Sequence, residues 1–138
     1  KRGVDFDAAR AAAAKYDPAA WAEEIKAAYG PAAPGVIEME KKSQKNETSA
    51  RLKRIDSMEK NWAEIEALLK ALPSAQYVAD LLKGLGSASP PAEIDVDKEL
   101  LKKTFLYCKE IRARYTILQM LWDLGLLDSI SDAVIETL

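Results

Sequence analysis

The sequence predicts an all-α fold: a compact domain of about seven helices, seven or eight by its start and stop signals, with no sheet. Three observations carry that expectation. No segment alternates apolar and polar residues over a strand's length, whereas several repeat apolar residues every three or four positions. Alanine, leucine, lysine and glutamate, all strong helix formers, dominate the composition. Proline, glycine and short capping side chains punctuate the boundaries between the periodic runs.

The elements follow in order. Asp5 or Asp7 caps a short alanine-rich helix that ends near Lys15. Asp17 followed by Pro18 gives an N-cap with proline at the first helical position; this helix carries Trp21, Ile25 and Tyr29 and stops at Gly30. Pro31, Pro34 and Gly35 mark a turn or a helix start leading into VIEMEKK. The polar stretch SQKNETS, Ser43 to Ser49, reads as a loop. A long helix is predicted next, with Leu52, Ile55, Trp62, Ile65, Leu69 and Leu72 forming one buried stripe. Asp56–Lys60 and Glu66–Lys70 are acid-first pairs four apart, suited to its exposed face.

Pro73 ends that helix, and Ser74 caps the next, AQYVADLLKGLG, which Gly84 or Gly86 terminates. The stretch SASPPAEID is a linker, because its two prolines cannot sit inside a helix. Asp97 then caps a helix through Leu101, Phe105, Cys108 and Ile111. The tail SISDAVIETL is a last amphipathic turn or two, capped by Ser129 or Ser131.

Composition narrows the function classes. The 138 residues suffice for one domain with a core. Lysine and arginine total 20 against 22 aspartates and glutamates, a net charge of −2, so no basic face is implied and nucleic acid is a poor partner. The longest apolar run, TILQMLW, is too short to span a bilayer and is broken by Gln119, so no membrane partner is expected. Cys108 is the only cysteine, which excludes an internal disulfide and fits a reducing, cytoplasmic setting. There is no histidine, which removes serine–histidine and cysteine–histidine catalysis and histidine metal sites from these residues. The chain opens at Lys1 without an initiator methionine or signal-like stretch, and reads as a piece of something longer.

One stretch invites a chemical reading. In RARYTILQMLWDLGLL, Arg112 to Leu127, two arginines, a tyrosine and a threonine adjoin an apolar run. The spacing Leu101, Phe105, Cys108, Ile111, Tyr115, Leu118, Trp122 fits one continuous helix, but Thr116 with Gln119 three residues on is a capping box that starts a new one. A break near Arg112–Tyr115 is therefore expected. It would expose arginines beside helix-terminal amides, a combination suited to anions. The alternative is that Arg114 pairs with Glu110 one turn back and Tyr115 covers the core edge.

The segment LLKKTFLYCKEIRARYTILQMLWDLGLL resembles the C-terminal end of the sn-glycerol-1-phosphate dehydrogenases, most specifically in RYTIL and WDLGLL. Upstream, FDAARAAAAKYDPAAWAEEIKAAYG, NETSARLKRIDSMEKNWAEIEALLKALPSA and ADLLKGLGSASPPAEI look like the same family's helical domain, so the resemblance covers nearly the whole chain. That family belongs with the iron-type alcohol dehydrogenases, glycerol dehydrogenase and dehydroquinate synthase, which join a nucleotide-binding α/β half to an all-helical half across an active-site cleft. The resemblance implies that residues 1–138 are one helical domain, the C-terminal part of a longer two-domain oxidoreductase of phospholipid metabolism. The parent would interconvert dihydroxyacetone phosphate and sn-glycerol 1-phosphate with NAD(P)H and a divalent metal, zinc or nickel, that polarises the carbonyl. Its implied partners are the nucleotide-binding half of the same chain and a second copy in a homodimer.

The chain departs from the family in what it lacks. No G-x-G-x-x-G occurs, the nearest match being Gly84-Leu-Gly86 where a helix ends. The family's metal ligands are an aspartate and two histidines, which would lie upstream of Lys1. No catalytic, cofactor-binding or metal residue is therefore assigned, and this piece is expected to be inactive alone. The substrate-phosphate candidates are Arg112, Arg114, Tyr115 and Thr116. A free-standing helical interaction module without chemistry is the alternative function.

Other constellations have plain readings. Glu23–Glu24, Glu38 with Glu40, and Asp95 with Asp97 read as solvated faces or caps. Trp21, Trp62 and Trp122 read as core or interface anchors, and Cys108 as a small core residue. The basic stretch KKSQKNETSARLKR, with Lys41, Lys42, Lys45, Arg51, Lys53 and Arg54, reads as a solvated surface. Trp122, Leu126 and Leu127 are expected on an apolar face left open by missing segments.

Overall fold

A computed structural model describes residues 3–86 and 95–137, so the linker expected from residue 87 lies almost wholly outside the described residues. Nine α-helices and two 3-10 turns occur among the described residues, and no strand. The expected all-α class is what the structure has. α1 is Phe6–Ala14, capped by Asp5, whose carboxylate accepts from the Ala8 amide. α2 is Pro18–Tyr29, where Asp17 accepts from the amides of Ala19 and Ala20. A 3-10 turn, Gly30–Ala32, leads into α3, Ala33–Ser43, which ends on Gln44 in the left-handed region.

The predicted long helix is two. α4 runs Thr48–Lys60 and α5 runs Trp62–Ala71, parted at Asn61. Asn61 leaves helical geometry (φ −112°, ψ 18°) and its side-chain amide donates to the Ser57 carbonyl at 2.8 Å, a local bond that competes with the helix. The apolar stripe carries past that point, with Trp62 and Ile65 packed on the same cluster as Ile55 and Met58, and fails beyond them at Leu69 and Leu72. Ile55 and Met58 of α4 are buried, but Leu72 beyond α5 is 63 % exposed. Of the two acid-first pairs, Glu66–Lys70 forms at 3.3 Å, whereas Asp56 turns to Arg10 of α1.

α6 is Ala75–Gly84, capped by Ser74; α7 is Lys98–Tyr107, capped by Asp97 and followed by a 3-10 turn at Cys108–Glu110. Residues 111–116 are non-helical, so the expected break is present. α8, Ile117–Asp123, starts on Thr116, whose hydroxyl accepts from the Gln119 amide. α9 is Leu127–Ile135. It begins before the two serines expected to cap it: Ser131 is buried inside the helix and donates to the Leu127 carbonyl.

Two apolar clusters form. Ala9 and Ala13 of α1 let that helix pack closely on Ile55 and Met58 of α4 and on Leu124. Trp21 and Ile25 of α2 pack on Ala33 and Val36, with Tyr107 at the edge. α7 lies on α9 and touches α2. Trp122, Leu126 and Leu127 are not the open face: Leu127 is buried at 3 % exposure and Trp122 is covered by two cations.

Gly125 ends α8 at φ +69°, with the Leu126 amide donating to Leu121 and the Gly125 amide to Trp122, a left-handed helix stop. A Cβ there would also meet Ala12 Cβ at 3.4 Å. Gly125→Ala is expected to lower stability by about 1–2 kcal/mol, read as a fall in the urea midpoint at unchanged slope; a midpoint equal to wild type would show that the stop tolerates a side chain.

Candidate functional site

Charged side chains that a helical surface would ordinarily leave in water converge between the two apolar clusters. Their centre is Glu110, at the end of the 3-10 turn after α7 and 2 % exposed. Its carboxylate accepts from Trp21 Nε1 at 3.3 Å, from Lys45 Nζ at 2.6 Å and from Asn46 Nδ2 at 3.0 and 3.1 Å, and also pairs with Lys109 Nζ. Burial pushes this carboxyl upward, but the Lys109 and Lys45 ammonium groups outweigh it and hold Glu110 below the usual carboxylate range. Burial also lowers Lys109, and Glu110 opposes that shift.

Lys45 has all three of its donors occupied, by the Lys109 carbonyl at 3.0 Å, Glu110, and Gln119 Oε1 at 3.0 Å. Gln119, fully buried in α8, returns a bond from Nε2 to Asn46 Oδ1. The predicted capping box is thus half made: Thr116 caps, and Gln119 reaches inward instead of back to Thr116. Glu40 accepts from the Asn46 amide at 2.7 Å. Burial raises Glu40 above its ordinary value, against the opposing effect of the Asn46 N–H.

A second node is Asp123, fully buried at the end of α8. Arg54 grips it with a fork, Nε to Oδ2 at 2.6 Å and Nη2 to Oδ1 at 2.9 Å, and also donates to the Lys45 carbonyl. Tyr115 donates its hydroxyl to Asp123 Oδ2 at 3.2 Å, and its ring lies near the Arg54 guanidinium. Arg51 stands 3.5 Å from Asp123 Oδ1 through Nε, within ion-pair range but without a hydrogen bond. It donates from Nη2 to the Trp122 carbonyl and lies 3.5 Å from the centroid of that indole.

These contacts correct three sequence readings. The basic stretch is not one solvated surface: Lys41, Lys42 and Lys53 are exposed, but Lys45, Arg51 and Arg54 turn inward to neutralise Glu110 and Asp123. Glu40 is buried and not on a solvated face. Glu110 belongs to the lysines, so the alternative Arg114–Glu110 pair does not form. A signal for Arg51 was present, since it shares the 51, 55, 58 stripe with Ile55 and Met58.

The four substrate-phosphate candidates divide. Tyr115 and Thr116 are structural, as partner of Asp123 and cap of α8. Arg112 and Arg114 are exposed and make no ion pair among the described residues. None of the four lines the cleft of about 420 Å³ bounded by Tyr16, Trp21, Arg51, Tyr107, Lys109 and Trp122. Cys108 is half-buried and its thiol is raised by burial, away from nucleophilic character.

No group of three or more histidine, cysteine, aspartate or glutamate residues that could hold a metal ion occurs among the described residues. No described helix is long and apolar enough to cross a membrane. Comparison with protein-family models, with curated proteins and with solved structures finds no match to this chain.

Proposed function

We infer that this chain is the helical half of an NAD(P)-dependent oxidoreductase of the sn-glycerol-1-phosphate dehydrogenase type, contributing one wall of a cleft and inactive alone. The resemblance in RYTIL and WDLGLL supports the reading. One structural observation carries the chemical part: Arg112 and Arg114 protrude from the non-helical 111–116 segment, exposed and unpaired among the described residues. Two free guanidinium groups on one short segment suit a dianionic phosphate, which each can meet with parallel hydrogen bonds. The segment is held by anchors that leave the arginines unused, Tyr115 on Asp123 and Thr116 on α8. The metal, the dinucleotide and their binding residues belong on the other half.

The test begins with the coding sequence upstream of Lys1. A glycine-rich βαβ unit followed by an aspartate and two histidines is the expected finding, and the joined chain should reduce dihydroxyacetone phosphate with NAD(P)H and zinc or nickel. In that enzyme, Arg112→Ala and Arg114→Ala should each raise KM for the phosphorylated substrate and leave KM for the nicotinamide cofactor unchanged. If both alter only thermal stability, the segment is a packing corner.

A different observation favours a second reading, a helical interaction module. Leu68, Leu72, Tyr77, Leu81 and Leu85, on and beside α5 and α6, are each more than half exposed. The open apolar surface is therefore here and not at Trp122–Leu127. The chain is expected to self-associate with rising concentration, measured by light scattering. Leu72→Ser with Leu81→Ser should abolish this at unchanged helicity; a monomer at all concentrations counts against the module.

A further inference from the structure

Every residue of α6, Ala75–Gly84, stands exposed. The helix is nevertheless fully specified by its own residues. Ser74 caps it by accepting from the Tyr77 amide at 3.1 Å, and the Gln76 side-chain amide donates to Asp80 Oδ1 at 2.8 Å one turn on. Gly86 closes it at φ +68°, its amide donating to the Lys83 carbonyl. One side of this preformed helix carries Tyr77, Val78, Leu81, Leu82 and Leu85, recurring at three and four, while Gln76, Asp80 and Lys83 occupy the other. Leu68 and Leu69 at the end of α5, with Leu72 just before Pro73, carry the exposed apolar surface along the chain into α6. A helix of ten residues ordinarily draws its stability from whatever covers its apolar side, and among the described residues nothing covers this one.

We infer that this face seats the same face of a second copy of the chain, α6 against α6 across a two-fold axis, in a closed dimer. The inference rests on the interaction-module reading, not on the dehydrogenase reading, and adds the partner and the stoichiometry. Area and charge select the occupant. At roughly 100 Å² each, the eight exposed side chains offer about 800 Å², one partner's share of a standard stable interface, and two identical faces reach its total of about 1,600 Å². No charged residue shares the apolar side of α6, and the two helices are near balance: Glu64, Glu66 and Asp80 against Lys70 and Lys83, with Glu66 and Lys70 already paired. Identical faces therefore meet without strong like-charge repulsion, and a highly charged partner finds nothing complementary. The same balance disfavours a lipid surface, because interfacial helices carry a polar side rich in lysine and arginine, and α6 has Lys83 alone. A patch present once per chain that pairs with itself is used up in the pair, so assembly stops at two.

Cysteine placement reads the pairing in the chain as it stands. In a Cys108→Ser background, Val78→Cys and Leu81→Cys are made singly on the apolar side of α6, and Lys83→Cys on the opposite side. Near a two-fold axis a residue meets its own counterpart, within reach of a disulfide. Mild oxidation should therefore give a covalent dimer from Val78→Cys or Leu81→Cys at a yield about tenfold or more above that from Lys83→Cys. Sedimentation equilibrium of the unsubstituted chain should rise with concentration from one chain's mass to two and no further. Lys83→Cys cross-linking as fully as Leu81→Cys, or growth past two copies, would overturn the two-fold pairing; the module reading survives that result if Leu72→Ser with Leu81→Ser still disperses the assembly. A monomer at all concentrations defeats both, and its binding to phosphatidylcholine or phosphatidylserine vesicles would then assign the face to lipid.

Discussion

Glu110→Ala is expected to lower the stability of this chain by about 3–5 kcal/mol, a large share of the roughly 5–15 kcal/mol that holds an ordinary single domain folded. The deletion does not merely remove one carboxylate. It strands the Lys109 ammonium, already lowered by burial, and removes acceptors from Lys45, Asn46 Nδ2 and Trp21 Nε1. Replacing Lys109 and Glu110 together by methionine should cost less than Glu110→Ala alone, because no unpaired charge remains at that pair. Urea unfolding followed by circular dichroism measures both, and a loss under about 1 kcal/mol for Glu110→Ala would show that water reaches the site.

The same residue sets an acid limit. A carboxyl lowered on folding adds stability that is fully present above its unfolded pKa, about 4.3, and is lost as pH falls through the folded value. Glu110 is lowered, so its contribution should persist to pH values below the ordinary glutamate range and then vanish. Glu40 is raised and acts with the opposite sign, favouring the fold below the unfolded pKa and losing that contribution as pH rises through its folded value. Glu110→Gln should remove the acid-side loss and leave the part of the Glu40 slope that comes from burial, without the share that the Glu110 charge adds.

The second large effect is expected at Asp123. Asp123→Ala leaves Arg54 and Arg51 without their carboxylate in a site that is fully buried on the aspartate side, at a cost of about 3–5 kcal/mol. It also frees the Tyr115 hydroxyl, which anchors the 111–116 segment. Amide hydrogen exchange should therefore accelerate first in that segment and in α8, before the α2–α3 pair. Tyr115→Phe removes only the one hydrogen bond and should cost about 1 kcal/mol. If Asp123→Ala and Tyr115→Phe behave alike, the Arg54 fork contributes little and the latch is the tyrosine.

What the sequence determined by itself is the local grammar of this protein. The caps Asp5, Asp17, Ser74, Asp97 and Thr116 were readable because each side chain bonds an amide two or three residues along. The break at 111–116 was readable from Thr116 with Gln119 three residues on, although only the Thr116 half of that capping box forms. The all-α class followed from spacing and composition, which need no partner. Burial does need one, and there the reading failed in both directions. Lys45 and Arg54 resembled solvated cations until the fold brought Glu110 and Asp123, 65 and 69 residues away in sequence, against them. Leu69 and Leu72 carried a core-like spacing, yet α5 turns at Asn61 and leaves them exposed. A hydrogen bond within one helical turn is fixed by neighbouring residues, whereas the burial of a charge or a leucine depends on which distant surface arrives to replace water, and only the tertiary structure decides that.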